Sequence, residues 1–303
     1  MNSYSETIKI SDFTKKYFKD YTLLKIETTG LSKFTDSVFM VATLDVNSGL
    51  LNINYISNLK DEIELINNIS TKNLITFSGN SFDLAFIEEK LKFYKMSFAP
   101  ENNFDLHEYL KNFNFILNLN SLKQKEIEKY LGLVRPKYIS GFKIANSIKQ
   151  YLISQDSDKL SEVIQHAKDS LIYLEKSLTI VEQIEDNINF KIQDYDFRIE
   201  TLEFKNNFLT ILGQTSFKKD LEINSFYHSI KVSKNNFKLT IEVKDGKYSD
   251  DELVFYVLNK NDELTNLSKI LSPPQIHLLY YKTPLWENIL SLAKYYLNSL
   301  LAI

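Results

Sequence analysis

The sequence predicts a mixed α/β domain followed by a small α+β domain. Short β-type runs alternate with helical patterns over roughly the first third of the chain, the pattern becomes helical from Ser121, and alternating apolar and polar runs dominate after Asp186. A chain of 303 residues suits two domains, since single cores stop growing at about 250–300 residues. We therefore predict one domain over residues 1–186 and a β-rich one over residues 187–303.

The first domain opens with three strands of a predicted meander, followed by helices and strands in alternation. Turn-forming residues, including Asn47-Ser48-Gly49, separate the first runs, which is typical of hairpins. The predicted strands are Tyr21–Ile26, Ser37–Leu44, Leu51–Ser57, Asn73–Phe77 and Asn103–Leu106, and the predicted helices between them are Lys60–Ile69 and Ser81–Tyr94.

Helical spacing of apolar residues predicts three further helices before the second domain. They cover Ser121–Leu131, Gly141–Ile153 and Lys159–Gln183. In the second domain, alternating runs predict an antiparallel sheet, and prolines frame a last strand and a closing helix from Leu285. The alternating runs are Asp196–Phe204, Phe208–Leu212, Phe237–Val243 and Leu253–Leu258, and the strand framed by prolines is Gln275–Tyr281.

Composition excludes several classes of site. The chain has no cysteine, which rules out disulfides, thiolate zinc sites and cysteine nucleophiles. The sequence shows neither a signal-peptide core nor a run of about 20 apolar residues, so we expect a cytoplasmic protein without a membrane partner. Its net charge is −3, and Arg135 and Arg198 are the only guanidinium groups suited to bidentate phosphate binding.

One segment carries an unusual pattern of polar residues at a strand end. Leu23 to Leu31 reads LLKIETTGL, which places Lys25 and Glu27 two residues apart. Side chains at this spacing share one face of a strand. A carboxylate pair at these positions would suit a divalent metal, but the first position here is a lysine.

The segment resembles the first motif of the DEDD exonucleases, Asp-x-Glu-Thr-Thr-Gly, with Lys25 in the place of the aspartate. Thr76 to Asp83, TFSGNSFD, is similar to the second motif of that superfamily, and Asp83 matches its carboxylate. Ser78 stands where an asparagine is usual. Together with the segment between Leu122 and Gly141, these motifs resemble the YprB-type ribonuclease-H-like domain family.

The third motif of that family lies on a helix, and here it reads HAKDSL from His166 to Leu171. His166 matches the general-base position, whereas Ser170 replaces the last metal-binding aspartate. Asp169 is one residue out of register, and adjacent helical residues point about 100° apart, so it cannot take over that role. The resemblance covers about Tyr21–Leu178 and implies a strand order 3-2-1-4-5 with the second strand antiparallel.

The resemblance implies Glu27, Asp83 and His166 as catalytic positions, with Lys25 and Ser170 as degenerate ones. Glu27 and Asp83 would hold Mg²⁺ or Mn²⁺ weakly, if any metal binds, because four carboxylates normally offset much of the charge of two ions. We expect the Lys25 ammonium to form a salt bridge with Glu27 or Asp83 in place of a metal.

Three functions compete at this point. The leading one is a catalytically impaired exonuclease homologue, a pseudoenzyme that binds single-stranded nucleic acid or a protein. The second is a weak 3′–5′ exonuclease using one metal, with His166 activating water. The third is a protein-interaction module.

Some candidate residues also have structural interpretations. Asp105 suits either the N-cap of a helix over His107–Lys111 or a remnant outer carboxylate, and the cap is favoured. A lysine-rich stretch suits either contact with a nucleic-acid backbone or a solvated helix face, and the interspersed Glu126 and Glu128 favour the solvated face. That stretch comprises Lys123, Lys125, Lys129 and Lys137.

Overall fold

A computed structural model describes residues 1–69, 72–249, 251–259 and 263–302, with side chains described as far as residue 300. The chain divides into two compact units, one of residues 1–110 and 121–180 and the other of residues 111–120 and 181–303. The division at residues 186/187 stays a prediction, and the structure groups residues 111–120 with the C-terminal part.

The first unit is a mixed sheet flanked by helices. Its strands are β1 (Asn2–Thr7), β2 (Thr22–Thr28), β3 (Val38–Asp45), β4 (Leu50–Tyr55), β5 (Asn73–Thr76) and β6 (Asn102–Asp105). Its helices are α1 (Asp12–Tyr17), α2 (Glu62–Asn67, after a 3-10 turn over Leu59–Asp61), α3 (Asp83–Phe93), α4 (Leu106–Leu117, which continues into the second unit), α5 (Gln124–Tyr130), α6 (Gly141–Ser154) and α7 (Ser157–Ser177).

The strand order is β1-β4-β3-β2-β5-β6. Strand β3 runs antiparallel to β2 and β4, whereas β5 runs parallel to β2 and β6. Without β1 this is the predicted order 3-2-1-4-5 with the second strand antiparallel, so the ribonuclease-H-like prediction is confirmed. Strands β2 and β3 form the centre of the core, and α7 packs across β2, β3 and β4.

Several features of this unit differ from the prediction, among them helix α1, which was not predicted. Strand β1 was not predicted, because its sequence NSYSET is almost entirely exposed and has no apolar alternation; main-chain pairing with β4 holds it. The single helix predicted over Lys159–Gln183 is wrong, since α7 ends at Ser177 and α8 (Thr179–Ile188) follows. The Ser177 and Thr179 hydroxyls donate to carbonyl oxygens of the preceding turn, and such back-bonding bends or ends helices.

The second unit is rich in antiparallel strands, as predicted. One sheet has the order β10-β11-β12-β9-β8-β7 and another the order β13-β14-β15-β16. The strands are β7 (Asn189–Ile192), β8 (Tyr195–Lys205), β9 (Phe208–Thr215), β10 (Leu221–Asn224), β11 (His228–Ser233), β12 (Asn236–Glu242), β13 (Lys244–Lys247), β14 (Leu253–Leu258), β15 (Ile276–Tyr281) and β16 (Thr283–Pro284). Helix α9 (Trp286–Asn298) and a 3-10 turn (Ser299–Ala302) close the chain.

Among the described residues, no helix combines the length and apolarity needed to cross a bilayer. The cytoplasmic location stays a prediction from the sequence.

Candidate functional site

Lys25 and Asp83 form the centre of the candidate site. The Lys25 Nζ atom lies 2.8 Å from Asp83 Oδ1, which also accepts the backbone N–H of Ile26 at 2.9 Å. The lysine side chain is 26% exposed and the aspartate side chain 1% exposed. The prediction that Lys25 forms a salt bridge with Glu27 or Asp83 is therefore confirmed, with Asp83 as the partner.

Neighbouring carboxylates stabilise the protonated form of Lys25. Burial acts to lower the pKa of Lys25, but the carboxylates of Asp83 and Glu27, together with the Asp83 hydrogen bond, outweigh burial and raise that pKa above its ordinary value of 10.5. The ammonium also lies 5.2 Å from the centre of the Phe82 ring, within cation–π range. Lys25 is a fixed cation at neutral pH.

The turn between β5 and α3 delivers Asp83 to this point. Ser78 has a φ of 59°, a left-handed conformation that asparagine adopts more readily, which suits the asparagine usual at this place in the motif. At Gly79 an added Cβ would lie 2.4 Å from the Thr76 side chain, so the turn requires a glycine there.

Asp105 fixes the same turn from the neighbouring strand. Its carboxylate accepts the backbone N–H groups of Ser78 at 2.9 Å and Asn80 at 3.1 Å. It also accepts the N–H of His107 at 3.0 Å, directly after the start of α4, which is the geometry of an N-cap. The predicted cap is confirmed, and the second role as an anchor for the turn was not foreseen.

Glu27 and His166 form a second pair on the same part of the sheet. His166 Nδ1 lies 2.8 Å from Glu27 Oε1, and both side chains are largely buried. A carboxylate oxygen accepts, so the N–H at Nδ1 donates a hydrogen bond to Glu27, which fixes the orientation of the ring. The roles of Glu27, Asp83 and His166 in catalysis stay predictions.

Ser170 lies one helical turn beyond His166 on α7 and lines a cavity of about 230 Å³. Lys25, Asp83, Phe82 and Gln124 line the same cavity, so the structure brings Lys25 and Ser170 together. Gln124 donates from Nε2 to the Ser170 carbonyl at 3.2 Å. Sequence reasoning missed Gln124, because a glutamine in a polar helix carries no signal of a tertiary contact.

Asp169 belongs to a different surface. It accepts a hydrogen bond from Gln165 at 2.8 Å and lines a groove of about 330 Å³ beside His166. Ser170, in contrast, lines the Lys25 cavity. The inference that Asp169 cannot replace an aspartate at position 170 is therefore supported by the structure.

The residues present do not fit the two-ion centre implied by the motifs. Asp83 is bound to an ammonium group and to a backbone N–H, and Glu27 is bound to His166. Within the part of the chain that the structure describes, no three His, Asp or Glu side chains are grouped as metal ligands. Weak binding of Mg²⁺ or Mn²⁺ stays a prediction.

Both arginines are engaged with carboxylates. Arg135 forms two hydrogen bonds with Glu128, at 2.8 and 2.6 Å, and both side chains are buried. Arg198 bonds to Glu185 at 2.8 Å. Glu128 therefore does not contribute to a solvated face of α5, contrary to the expectation for the lysine-rich stretch.

Comparison with known proteins places this geometry in a family. Residues 23–181 match the family model RNase_H_2, described as RNase_H superfamily. The chain belongs to the RNase H superfamily. The match covers β2 to α7, and thus Lys25, Asp83, His166 and Ser170. No curated protein matches the chain.

Several solved structures are similar to the chain at low identity. A family B DNA polymerase from Pyrobaculum calidifontis is 13% identical with a TM-score of 0.41, over 55% of this chain and 25% of the polymerase. NrnC from Brucella melitensis bound to pGG is 17% identical with a TM-score of 0.30, over 56% of this chain and 88% of NrnC. E. coli ExoI in a zinc-bound complex with ssDNA is 11% identical with a TM-score of 0.29, over 63% of this chain and 54% of ExoI. This chain thus spans a quarter of the polymerase.

Proposed function

We propose that this protein binds nucleic acid through its RNase H-like unit and does not hydrolyse it. The observation that carries the proposal is the ammonium of Lys25 at 2.8 Å from Asp83 Oδ1, at the place where the superfamily motif has a carboxylate. The protein is then a catalytically impaired homologue of the exonucleases.

Charge explains why hydrolysis should fail. Catalysis by two ions needs both the attacking and the leaving oxygen clamped between ions about 3.5–4 Å apart. Lys25 replaces a negative group by a positive one, and Ser170 contributes no charge. Two like unit charges 4 Å apart repel by about 4 kcal/mol at an effective dielectric of 20, so a divalent ion close to Lys25 is strongly disfavoured.

Membership of the RNase H superfamily and a concentration of lysines on α5 support nucleic acid as the ligand. The aromatic rings of Phe77 and Phe82 and the partly exposed ammonium of Lys25 line the cavity at the old catalytic position. Such a combination suits a polyanion that also carries planar bases.

The first prediction is that wild-type protein binds single strands but leaves them intact. We would measure binding of labelled DNA and RNA oligonucleotides by fluorescence anisotropy, in EDTA and in Mn²⁺, at low and moderate salt. Affinity should fall with salt because phosphate contacts release counterions, and EDTA should not change it. Gel analysis with Mg²⁺ or Mn²⁺ should show strands of unchanged length.

Stepwise shortening of the strands in metal would contradict this proposal if Glu27→Gln abolished it. Glu64→Gln, on an exposed part of α2, is the matched control, since it makes the same chemical change away from the site. Absence of any salt-sensitive binding would contradict the binding part of the proposal.

A further inference from the structure

A cluster of positive charge lies between α5 and the start of α6. Residues 121–143 contain six basic and two acidic residues, although the whole chain has 36 basic and 39 acidic residues. The side chains of five lysines in this segment are exposed: Lys123, Lys125, Lys129, Lys137 and Lys143. We call these lysines and the exposed rings among them the α5–α6 surface.

The two acidic residues of the segment offset little of this charge. Glu128 is turned inward, and its charge is matched by the guanidinium of Arg135. Glu126 is the other carboxylate. On α7, Glu162 lies 3.7 Å from Lys137 and 3.4 Å from Lys143, which leaves the strongest positive charge on Lys123, Lys125 and Lys129.

Exposed rings lie among these lysines. Tyr130, Tyr138 and Phe142 are 46%, 54% and 71% exposed. Lys125 Nζ lies 5.4 Å from the centre of the Tyr138 ring. Successive aromatic rings beside cations are the arrangement by which proteins bind unpaired bases, with stacking worth about 1–3 kcal/mol per base.

Contacts with Tyr173 on α7 hold the backbone between α5 and α6 in place. The Tyr173 hydroxyl donates to the Val134 carbonyl at 2.5 Å, and the Arg135 guanidinium lies 4.9 Å from the centre of the Tyr173 ring. A surface held in this way loses little conformational entropy when a ligand binds.

The α5–α6 surface is continuous with the candidate site. Lys137 lines the groove beside His166, and Gln124, at the start of α5, bonds to Ser170. The start of α5 therefore borders the Lys25 cavity, which Gln124 lines.

We infer that the α5–α6 surface binds single-stranded nucleic acid, with lysines on the phosphates and Tyr130, Tyr138 and Phe142 stacked on bases. The inference rests on the proposed function and specifies where binding occurs. A duplex would offer phosphates but no free base faces, and an acidic protein would offer charge but no bases to stack, so the exposed rings favour single strands.

Charge reversal on α5 is the first test. Lys123→Glu/Lys125→Glu/Lys129→Glu should weaken binding of a single strand at least about tenfold and reduce the slope of affinity against salt, since each lost phosphate contact lowers that slope by about 0.7. The matched control is Lys15→Glu/Lys16→Glu/Lys19→Glu, which makes the same charge change on exposed lysines in and just after α1. That variant should lose much less affinity.

Stacking is tested by Tyr138→Ala against Tyr94→Ala, a tyrosine of similar exposure at the end of α3. Only the first should weaken binding, by about fivefold or more for one lost base contact. Photo-crosslinking of wild-type protein to strands containing 4-thiouridine or 5-iododeoxyuridine should label Tyr130, Tyr138 or Phe142. This result does not depend on any variant folding, and the DNA and RNA arms separate the two kinds of strand.

The outcomes separate this inference from the proposed function. If wild type binds strands but both triple variants bind equally well, or crosslinks map elsewhere, the α5–α6 surface is wrong while the proposed function stands. If wild type does not bind, both fail. Equal affinity for polyglutamate of the same charge, or for a duplex, would overturn the assignment to single strands.

Discussion

Lys25 stands on β2 at the position where the motif it resembles has an aspartate, and its side chain pairs with Asp83. The Lys25 ammonium donates to Asp83, which also accepts the N–H of Ile26, so Asp83 joins strand β2 to the start of α3. The buried carboxylate of Asp83 needs a cation, and a lysine supplies one without a bound ion.

The second prediction concerns this pair. Lys25→Met keeps most of the aliphatic chain and leaves Asp83 buried without its cation. Breaking a buried pair costs about 3–5 kcal/mol. Because Lys25 is partly exposed, we expect the free energy of unfolding to fall by about 3 kcal/mol, at the lower end of that range. Urea denaturation at pH 7 measures this. Lys143→Met, which removes an exposed partner of Glu162, should cost below about 1 kcal/mol.

The pH dependence of the same difference checks its cause. The pKa of Lys25 is raised in the folded protein, so the stabilisation is complete at pH values below 10.5 and is lost as the pH rises through the folded-state value. The difference in the free energy of unfolding between wild type and Lys25→Met should therefore become smaller in strongly alkaline solution. A gap that stays constant there would mean that packing, not charge, makes the difference.

At the scale of elements, α7 brings the site together across β2. His166 and Ser170 are four residues apart and share the helix face that looks toward the sheet, while Asp169 faces the neighbouring groove. One turn of helix thus separates a residue bound to Glu27 from a residue in the Lys25 cavity. The register of the helix decides which side chain reaches the Lys25 cavity.

Sequence patterns predicted the strands and helices with strong apolar periodicity and the residues of the three motifs. The strand order came from the resemblance, since local patterns do not specify which strands pair. Strand β1 was missed because its stability comes from main-chain pairing, which any sequence can make. The burial of Glu128 was also missed, because its partner Arg135 lies beyond the helix, and helical periodicity describes neither residue's tertiary contacts.

The third prediction concerns this buried pair beneath the α5–α6 surface. Glu128→Gln removes the charge that matches Arg135, and the guanidinium is left buried with a neutral partner. We expect unfolding free energy to fall by about 3 kcal/mol. Glu126→Gln, on the less buried side of the same helix, should change it by less than about 0.5 kcal/mol. Equal effects in urea denaturation would show that the pair does not hold α5 in place.

At the scale of the whole molecule, net charge is a poor guide to binding. Residues 1–186 hold 22 basic and 25 acidic residues, yet six of the basic and two of the acidic residues lie in residues 121–143. The other residues of 1–186 comprise 16 basic and 23 acidic ones, so a polyanion would be repelled by most of that region and attracted to residues 121–143. Residues 121–143 lie within the RNase H-like unit, and the fold alone does not fix an activity.

The last prediction tests whether the chain is a nuclease that lost its metal site. Lys25→Asp with Ser170→Asp places carboxylates at both positions beside Glu27 and Asp83. Either change alone leaves a site for two metal ions with one carboxylate ligand too few. The double variant should gain Mn²⁺-dependent shortening of end-labelled single strands, sensitive to EDTA and abolished by a further Glu27→Gln. Lys149→Asp with Ser154→Asp, on exposed positions of α6, makes the same charge change and should stay inactive.

Because a restored site must also bind metal, calorimetry with Mn²⁺ separates two kinds of failure. A folded double variant that binds Mn²⁺ but leaves strands intact would show that Lys25 and Ser170 are not what suppresses hydrolysis, whereas one that binds no Mn²⁺ would show that the backbone no longer holds four carboxylates in metal-binding geometry.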